Sequence, residues 1–316
     1  MLMKKNVFLV FMFAAFISQA QAQQIPKEPA GKFIQVAGHR LWVHVFGKGE
    51  PLLFIPGGPG AAHHFWPDMN RFADSYTVIY YDPFGRGQSE RAKDPSAYSL
   101  ANDVEEVEAL RIALGIKKWN VYGKSYGSVV AQAYALKYQS SLSHLILAEA
   151  FHSTEMWQKG NDDYGNAQIQ KQYPQVWREL DSLRKKGYVS TDSVYQAVLG
   201  RVNDGLLYYF NPNNNATENF DMNLEVYKQI AGKDADVVLG GDLAKFDFRG
   251  RLKEIKVPTL IIAGRFDRVS TPEYVEQYQL FMPQAKLVMF EKSGHHPSIE
   301  EPDLHARVLL DFLKDQ

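Results

Sequence analysis

Cysteine is absent from the 316-residue chain. That excludes disulfides, a thiolate nucleophile and a lipid-carrying cysteine, so stability has to come from a buried core. An excess of either charge is lacking too: 35 Lys and Arg stand against 36 Asp and Glu, a net −1. Neither nucleic acid nor an anionic membrane surface is indicated as a partner. The nine histidines show no H-E-x-x-H motif and no other paired-ligand spacing, so no metal and no cofactor is expected. There is no internal repeat and no low-complexity segment. The apolar run at residues 7–17 is too short to span a bilayer. With Lys4 and Lys5 before it and Ala20-Gln21-Ala22 after it, it reads as a secretory signal cleaved after Ala22 rather than an uncleaved anchor. The expected product is secreted or periplasmic, without a stable membrane anchor; losing both lysines takes its net charge to −3.

Beyond residue 22 the pattern is one of short apolar runs ended by glycine or acid. "KFIQV" and "LWVHVF" read as paired strands around the turn-like "AGHR". "PLLFIPGG", "YTVIYYD", "KKWNVYG" and "LSHLILAE" read as buried strands. Val104, Val107, Leu110 and Leu114 recur at helical spacing between the second and third of these, with Ser99 as cap and Gly115 as stop. "SYGSVVAQAYALKYQ" is a further helix. Strands alternating with helices imply βαβ units and a doubly wound, mostly parallel sheet.

The alternation stops over residues 151–256, where "YPQVWRELDSLRKKG" and "TDSVYQAVLGRVN" read as helices. It resumes with "VPTLIIAG" (strand), "TPEYVEQYQLF" (helix), "AKLVMFE" (strand) and "EPDLHARVLLDFL" (helix). The expected organisation is one α/β core, residues 23–150 and 257–316, interrupted by a helical lid at 151–256. The aromatics of that insertion, among them Trp157, Tyr164, Trp177, Tyr195, Tyr208, Tyr209 and Phe210, divide between lid core and pocket lining, with core the commoner use.

The stretch "NVYGKSYGSVV" carries the chemistry. Gly123 to Gly127 form G-x-S-x-G where a strand ends and a helix begins. So tight a turn strains Ser125, pushes its hydroxyl out at the carboxyl edge of the sheet and leaves no room for side chains at the flanking positions. The helix N-terminus behind it favours negative charge. A serine nucleophile needs a base, and the base an orienting acid, downstream in the order Ser, Asp, His. "LIIAGRFDRVSTP" sets Asp267 just past a strand, where a turn or helix-cap role before Thr271-Pro272 competes. "LVMFEKSGHHPSIEEP" sets His295 past the next strand; His296 competes, and His295 is preferred because it directly follows Gly294. "FIPGGPG" offers backbone amides to the same edge, and Gly58 N–H with Tyr126 N–H is the expected oxyanion pair.

Over nearly its whole length beyond residue 22 the chain resembles the α/β-hydrolase fold, and within it the proline iminopeptidase group of serine peptidases. The residues carrying the likeness are "PGGPG" (HGGPG in the family), "GKSYG" (GGSWG or GGSYG), "DPFGRGQS" (DQRGxGxS) and the insertion after "LILAEA". Pro56 replaces the family's histidine, and Pro83-Phe84 replace its Gln-Arg. In these exopeptidases, acidic lid residues bind the substrate's free amino group. By spacing the nearest match here is Asp236, a solvated loop acid being the competing reading. Some α/β-hydrolases take the triad acid from the position that Glu149 occupies, so Glu149 rivals Asp267, which its "GRFD" context favours. The serine sets the chain apart from the haloalkane dehalogenase and epoxide hydrolase branches, which attack through aspartate. The resemblance implies a serine hydrolase acting on a small molecule or short peptide with a free N-terminus, hydrophobic or proline first. A carboxylesterase or lactonase on small apolar esters is the alternative, and a non-catalytic ligand receptor a remote one. The pattern leaves the oligomeric state open and supplies no role for Lys124, where the family often has glycine.

Overall fold

The computed structural model describes residues 31–63, 69–203, 205–213 and 222–314. The signal expected at residues 1–22 lies outside them. Eight strands form one sheet in the order β1-β2-β4-β3-β5-β6-β7-β8. They are β1 (Lys32–Val36), β2 (His39–Gly47), β3 (Glu50–Ile55), β4 (Tyr76–Tyr81), β5 (Trp119–Lys124), β6 (Leu142–Ala148), β7 (Thr259–Gly264) and β8 (Lys286–Phe290). β1 pairs antiparallel with β2, and β2 with β4; every other pairing is parallel.

Successive strand residues point to opposite faces, and here both faces are covered, which is why the parallel strands read as continuous apolar runs. Leu53, Ile79, Val121, Leu145, Leu147 and Ile261 enter one core. It is shared with α1 (Leu100–Ala113) and α2 (Tyr126–Tyr138) through Val107, Leu110, Val129 and Tyr134. The alternate residues Leu52, Phe54, Val78, Tyr80, Tyr122, Ile146 and Leu260 enter a second core with Leu309, Phe312 and Leu313. α1 starts where expected: Ser99 Oγ accepts from Asn102 N–H at 3.1 Å, satisfying one otherwise unpaired amide of the first turn.

Between β6 and β7 the chain is helical: α3 (Thr154–Lys159), α4 (Ala167–Gln172), α5 (Pro174–Lys185), α6 (Ser193–Leu199), α7 (Gly205–Tyr208) and α8 (Leu224–Ile230). Ile169, Val176, Leu180, Tyr195 and Val202 give this stretch an apolar cluster of its own. After β7 come α9 (Pro272–Val275) and α10 (Tyr278–Phe281), after β8 come α11 (Pro297–Glu300) and α12 (Pro302–Lys314). The single helix expected over "TPEYVEQYQLF" is therefore two. At the junction Gln277 N–H bonds Tyr274 O, a tighter i to i−3 step that interrupts the α-helical ladder.

β3, β5, β6, β7 and β8 run the same way, so the loops that follow them share one edge of the sheet. Ligand sites of open α/β sheets lie at this carboxyl edge. Truncation within the sheet should be costly: Leu147→Ala, at a fully buried position of β6, is expected to lose about 2–5 kcal/mol. Leu280→Ala, at a position 77% exposed, should stay within about 0.5 kcal/mol. Urea unfolding of both variants checks the contrast.

Candidate active site

Ser125 occupies a one-residue turn between β5 and α2, with φ 53° and ψ −122°. Non-glycine residues avoid positive φ, and strain of this kind gathers at functional sites. The turn closes because α2 lies directly against the strands. A Cβ on Gly127 would sit 2.3 Å from Ile55 O and 2.7 Å from Pro56 O, and one on Gly123 would sit 2.3 Å from Gly127 O. The strained residue is held on both sides: Ser125 N–H donates to Ala148 O at 2.9 Å, and Ser128 N–H donates to Ser125 O at 2.9 Å.

Asp267 and His295 come from the loops after β7 and β8, and the structure brings them together. Oδ1 of Asp267 accepts from Val269 N–H (2.8 Å) and Ser270 N–H (2.9 Å). Its other oxygen, Oδ2, accepts from His295 Nδ1–H at 2.7 Å. Both side chains are buried. A histidine that gives its Nδ1 proton to a carboxylate presents Nε2 as a base. The loops can pack this closely because residue 264 is glycine; a Cβ there would lie 1.9 Å from Gly294 O.

The base loop is tied to the helical stretch. His295 N–H donates to Tyr208 O at 2.6 Å. The Glu300 carboxylate gathers Gly294 N–H (2.6 Å), Phe210 N–H (2.8 Å) and Asn211 N–H (3.3 Å). Arg268 Nη1 donates to Leu206 O at 2.5 Å. Tyr208, Tyr209 and Phe210 therefore pack on the loops that carry His295 and Asp267, while Trp177 and Tyr195 belong to the separate apolar cluster.

Gly58 lies in the loop after β3 with φ 59°, its carbonyl accepting from Ala61 N–H at 2.9 Å. Tyr126 opens α2. Its ring is buried and its hydroxyl donates to Asp103 Oδ2 at 2.6 Å. Asp103 in turn takes a bidentate pair from Arg86 (2.7 and 2.8 Å). Arg86 Nε also donates to Pro59 O at 2.7 Å, so one buried guanidinium joins the Gly58 loop, α1 and the residue after Ser125. Burial pulls the Arg86 pKa down, but the Asp103 carboxylate more than offsets this and keeps the guanidinium charged. A second buried pair fixes the same loop: His63 Nδ1–H donates to Asp82 Oδ1 at 2.6 Å. Sequence reasoning missed Arg86, Asp103, His63 and Glu300. For Arg86 the signal was its place within "DPFGRGQS"; Glu300 acts on backbone amides and leaves no such trace.

Glu149 follows β6 with φ 46° and is 1% exposed. Burial pushes its carboxyl well above the usual carboxylate range; Lys124 opposes the shift and Asp267 adds to it. No hydrogen bond joins Glu149 to His295 among the described residues. Asp236, on the loop after α8, is only partly exposed. Burial raises its pKa to about 6, Asp234 adds to the rise, and hydrogen bonds from Tyr227 and Gln196 oppose it.

Comparison with known proteins identifies the fold family. The family described as alpha/beta hydrolase fold matches residues 50–302. A proline iminopeptidase from Heyndrickxia coagulans is 31% identical over 292 residues, 89% of this chain and 97% of that one. Among solved structures, VinJ matches with a TM-score of 0.78 at 22% identity, covering 91% of this chain and 99% of that one. The proline iminopeptidase of Mycobacterium smegmatis matches with a TM-score of 0.75 at 23% identity, covering 90% and 97%.

Two substitutions test the scaffold. Gly127→Ala should cost about 1–3 kcal/mol by overpacking against the end of β3. Arg86→Met, which strands the buried Asp103 carboxylate, should cost about 3–5 kcal/mol. Chemical denaturation measures both, and unchanged midpoints would contradict the contacts described.

Proposed function

This chain belongs to the α/β hydrolase fold family, and we propose that it is a secreted serine hydrolase of the proline iminopeptidase kind that works through Ser125, His295 and Asp267. The observation that carries the reading is the 2.7 Å bond from His295 Nδ1–H to Asp267 Oδ2, at the sheet edge where Ser125 holds its strained turn.

In this mechanism the Ser125 hydroxyl adds to the acyl carbon while His295 Nε2 takes its proton. Asp267 orients the imidazole and stabilises the imidazolium. The oxygen that gains the electron pair is held by the amides of Gly58 and Tyr126. Collapse expels the amine, which takes the proton back from His295 and leaves an acyl-enzyme. Water then adds with His295 again as base, and the acid product departs as Ser125 recovers its proton.

Residues 151–256 act as a lid over the site. The substrate class is a short peptide or amide with a free N-terminus, hydrophobic or proline first, and Asp236 is the lid carboxylate that receives its ammonium. The partial burial of Asp236, which pushes its pKa up to about 6, is the observation that supports this role. Export rests on the sequence pattern at residues 1–22, and N-terminal sequencing of the exported protein should begin at Gln23.

A fluorophosphonate should label the wild type and spare Ser125→Ala; equal labelling of both would end the nucleophile assignment. Asp267→Asn should lower kcat by about 10⁴-fold through loss of the correct histidine tautomer, and a larger loss in Glu149→Gln would reassign the acid. A prolyl arylamide should be cleaved and its N-acetyl derivative refused. Rapid p-nitrophenyl butyrate hydrolysis without arylamide turnover would instead establish a carboxylesterase. Because Asp236 titrates at about 6, it is charged above that pH and neutral below it. KM for the arylamide should therefore rise as pH falls through about 6, and Asp236→Asn should flatten that rise.

A further inference from the structure

Lys124 precedes Ser125, and His296 follows His295. Both side chains are buried, Lys124 to 2% and His296 to 3% exposure. Lys124 Nζ lies 2.7 Å from His296 Nδ1. Burial holds the His296 pKa well below the usual histidine value, with the charges of Lys124 and His295 adding to the effect. The imidazole is therefore neutral, and the Lys124 amino group donates to Nδ1.

The position of this bond matters more than its strength. β5 and β8 are three places apart in the sheet, with β6 and β7 between them. At the usual spacing of neighbouring strands that is about 14 Å, and no ladder bond joins the two. The turn holding Ser125 and the loop holding His295 are otherwise placed by different strands. A lysine has the longest straight side chain available for such a crossing, and a glycine at residue 124 would leave nothing to cross with. His296 then passes the constraint on: its ring stands perpendicular to His295 (5.7 Å, 89°) and stacks on Tyr209 of the helical stretch (4.8 Å, 20°).

We propose that the Lys124–His296 hydrogen bond is a clasp that sets the reach of His295 to Ser125, making Lys124 and His296 positioning residues one step behind the reacting pair. The clasp rests on the assignment of Ser125 and His295 as nucleophile and base. Glu149 is buried at the same edge, where Lys124 opposes the rise that burial gives its carboxyl.

The test uses the full chain and fluorophosphonate inactivation, which reports on Ser125 whatever the natural substrate. Saturation kinetics separate the limiting rate, kinact, from the binding constant, KI. Lys124→Met and His296→Phe should each lower kinact by about 10- to 100-fold, the scale of a misplacement near 1 Å, with KI within about twofold. The double variant should be no slower than the worse single, because both remove the same bond. His296→Asn, which keeps an acceptor near the Nδ1 position but not the ring, should recover part of the rate lost in His296→Phe. Should Lys124→Met not fold, His296→Phe against His296→Asn decides the matter. Wild-type kinact in His296→Phe, losses that multiply in the double variant, or no recovery in His296→Asn would overturn the clasp. Failure of the wild type to label would instead overturn the Ser125 assignment on which the clasp is built.

Discussion

The Ile55 carbonyl leaves no space for a side chain at residue 127, and much of this site follows from that contact. Because α2 can press against the end of β3, the chain turns from β5 into α2 within one residue and holds Ser125 at φ 53°. The same approach puts the first residue of α2 beside the loop after β3. Tyr126 can then reach Asp103, and Arg86 can join Asp103 to Pro59. A glycine thus governs a charged network it does not touch.

Buried polar pairs are used here to connect loops. The Arg86–Asp103 ion pair and the His63–Asp82 hydrogen bond hold the loop after β3, and the Asp267–His295 hydrogen bond joins the loops after β7 and β8. Replacing a buried ion pair by apolar groups is often neutral or favourable for stability. The recurrence of such pairs around the site argues for a geometric role, since apolar packing cannot fix a hydrogen-bond direction. Apolar clusters fill both faces of the sheet between them.

The strands were legible because sheets covered on both faces need uninterrupted apolar runs, and "LLFI", "TVIYY" and "LILA" have them. Ser125, Asp267 and His295 were legible as candidates because each stands just past such a run. The break between α9 and α10 was not, since it turns on one amide choosing Tyr274 O over a more distant carbonyl. Lys124, by contrast, could not be understood locally, because its contact is made between side chains 172 positions apart in the chain.

Glu300 binds an amide of the base loop and two amides of the segment after α7 with one carboxylate, and Tyr208 O holds the amide of His295 itself. The helical stretch and the base loop are thus one mechanical part at this point. Lifting residues 208–211 away from the sheet would pull on the backbone of His295. The part of the helical stretch nearest His295 is therefore anchored to the loop that carries it.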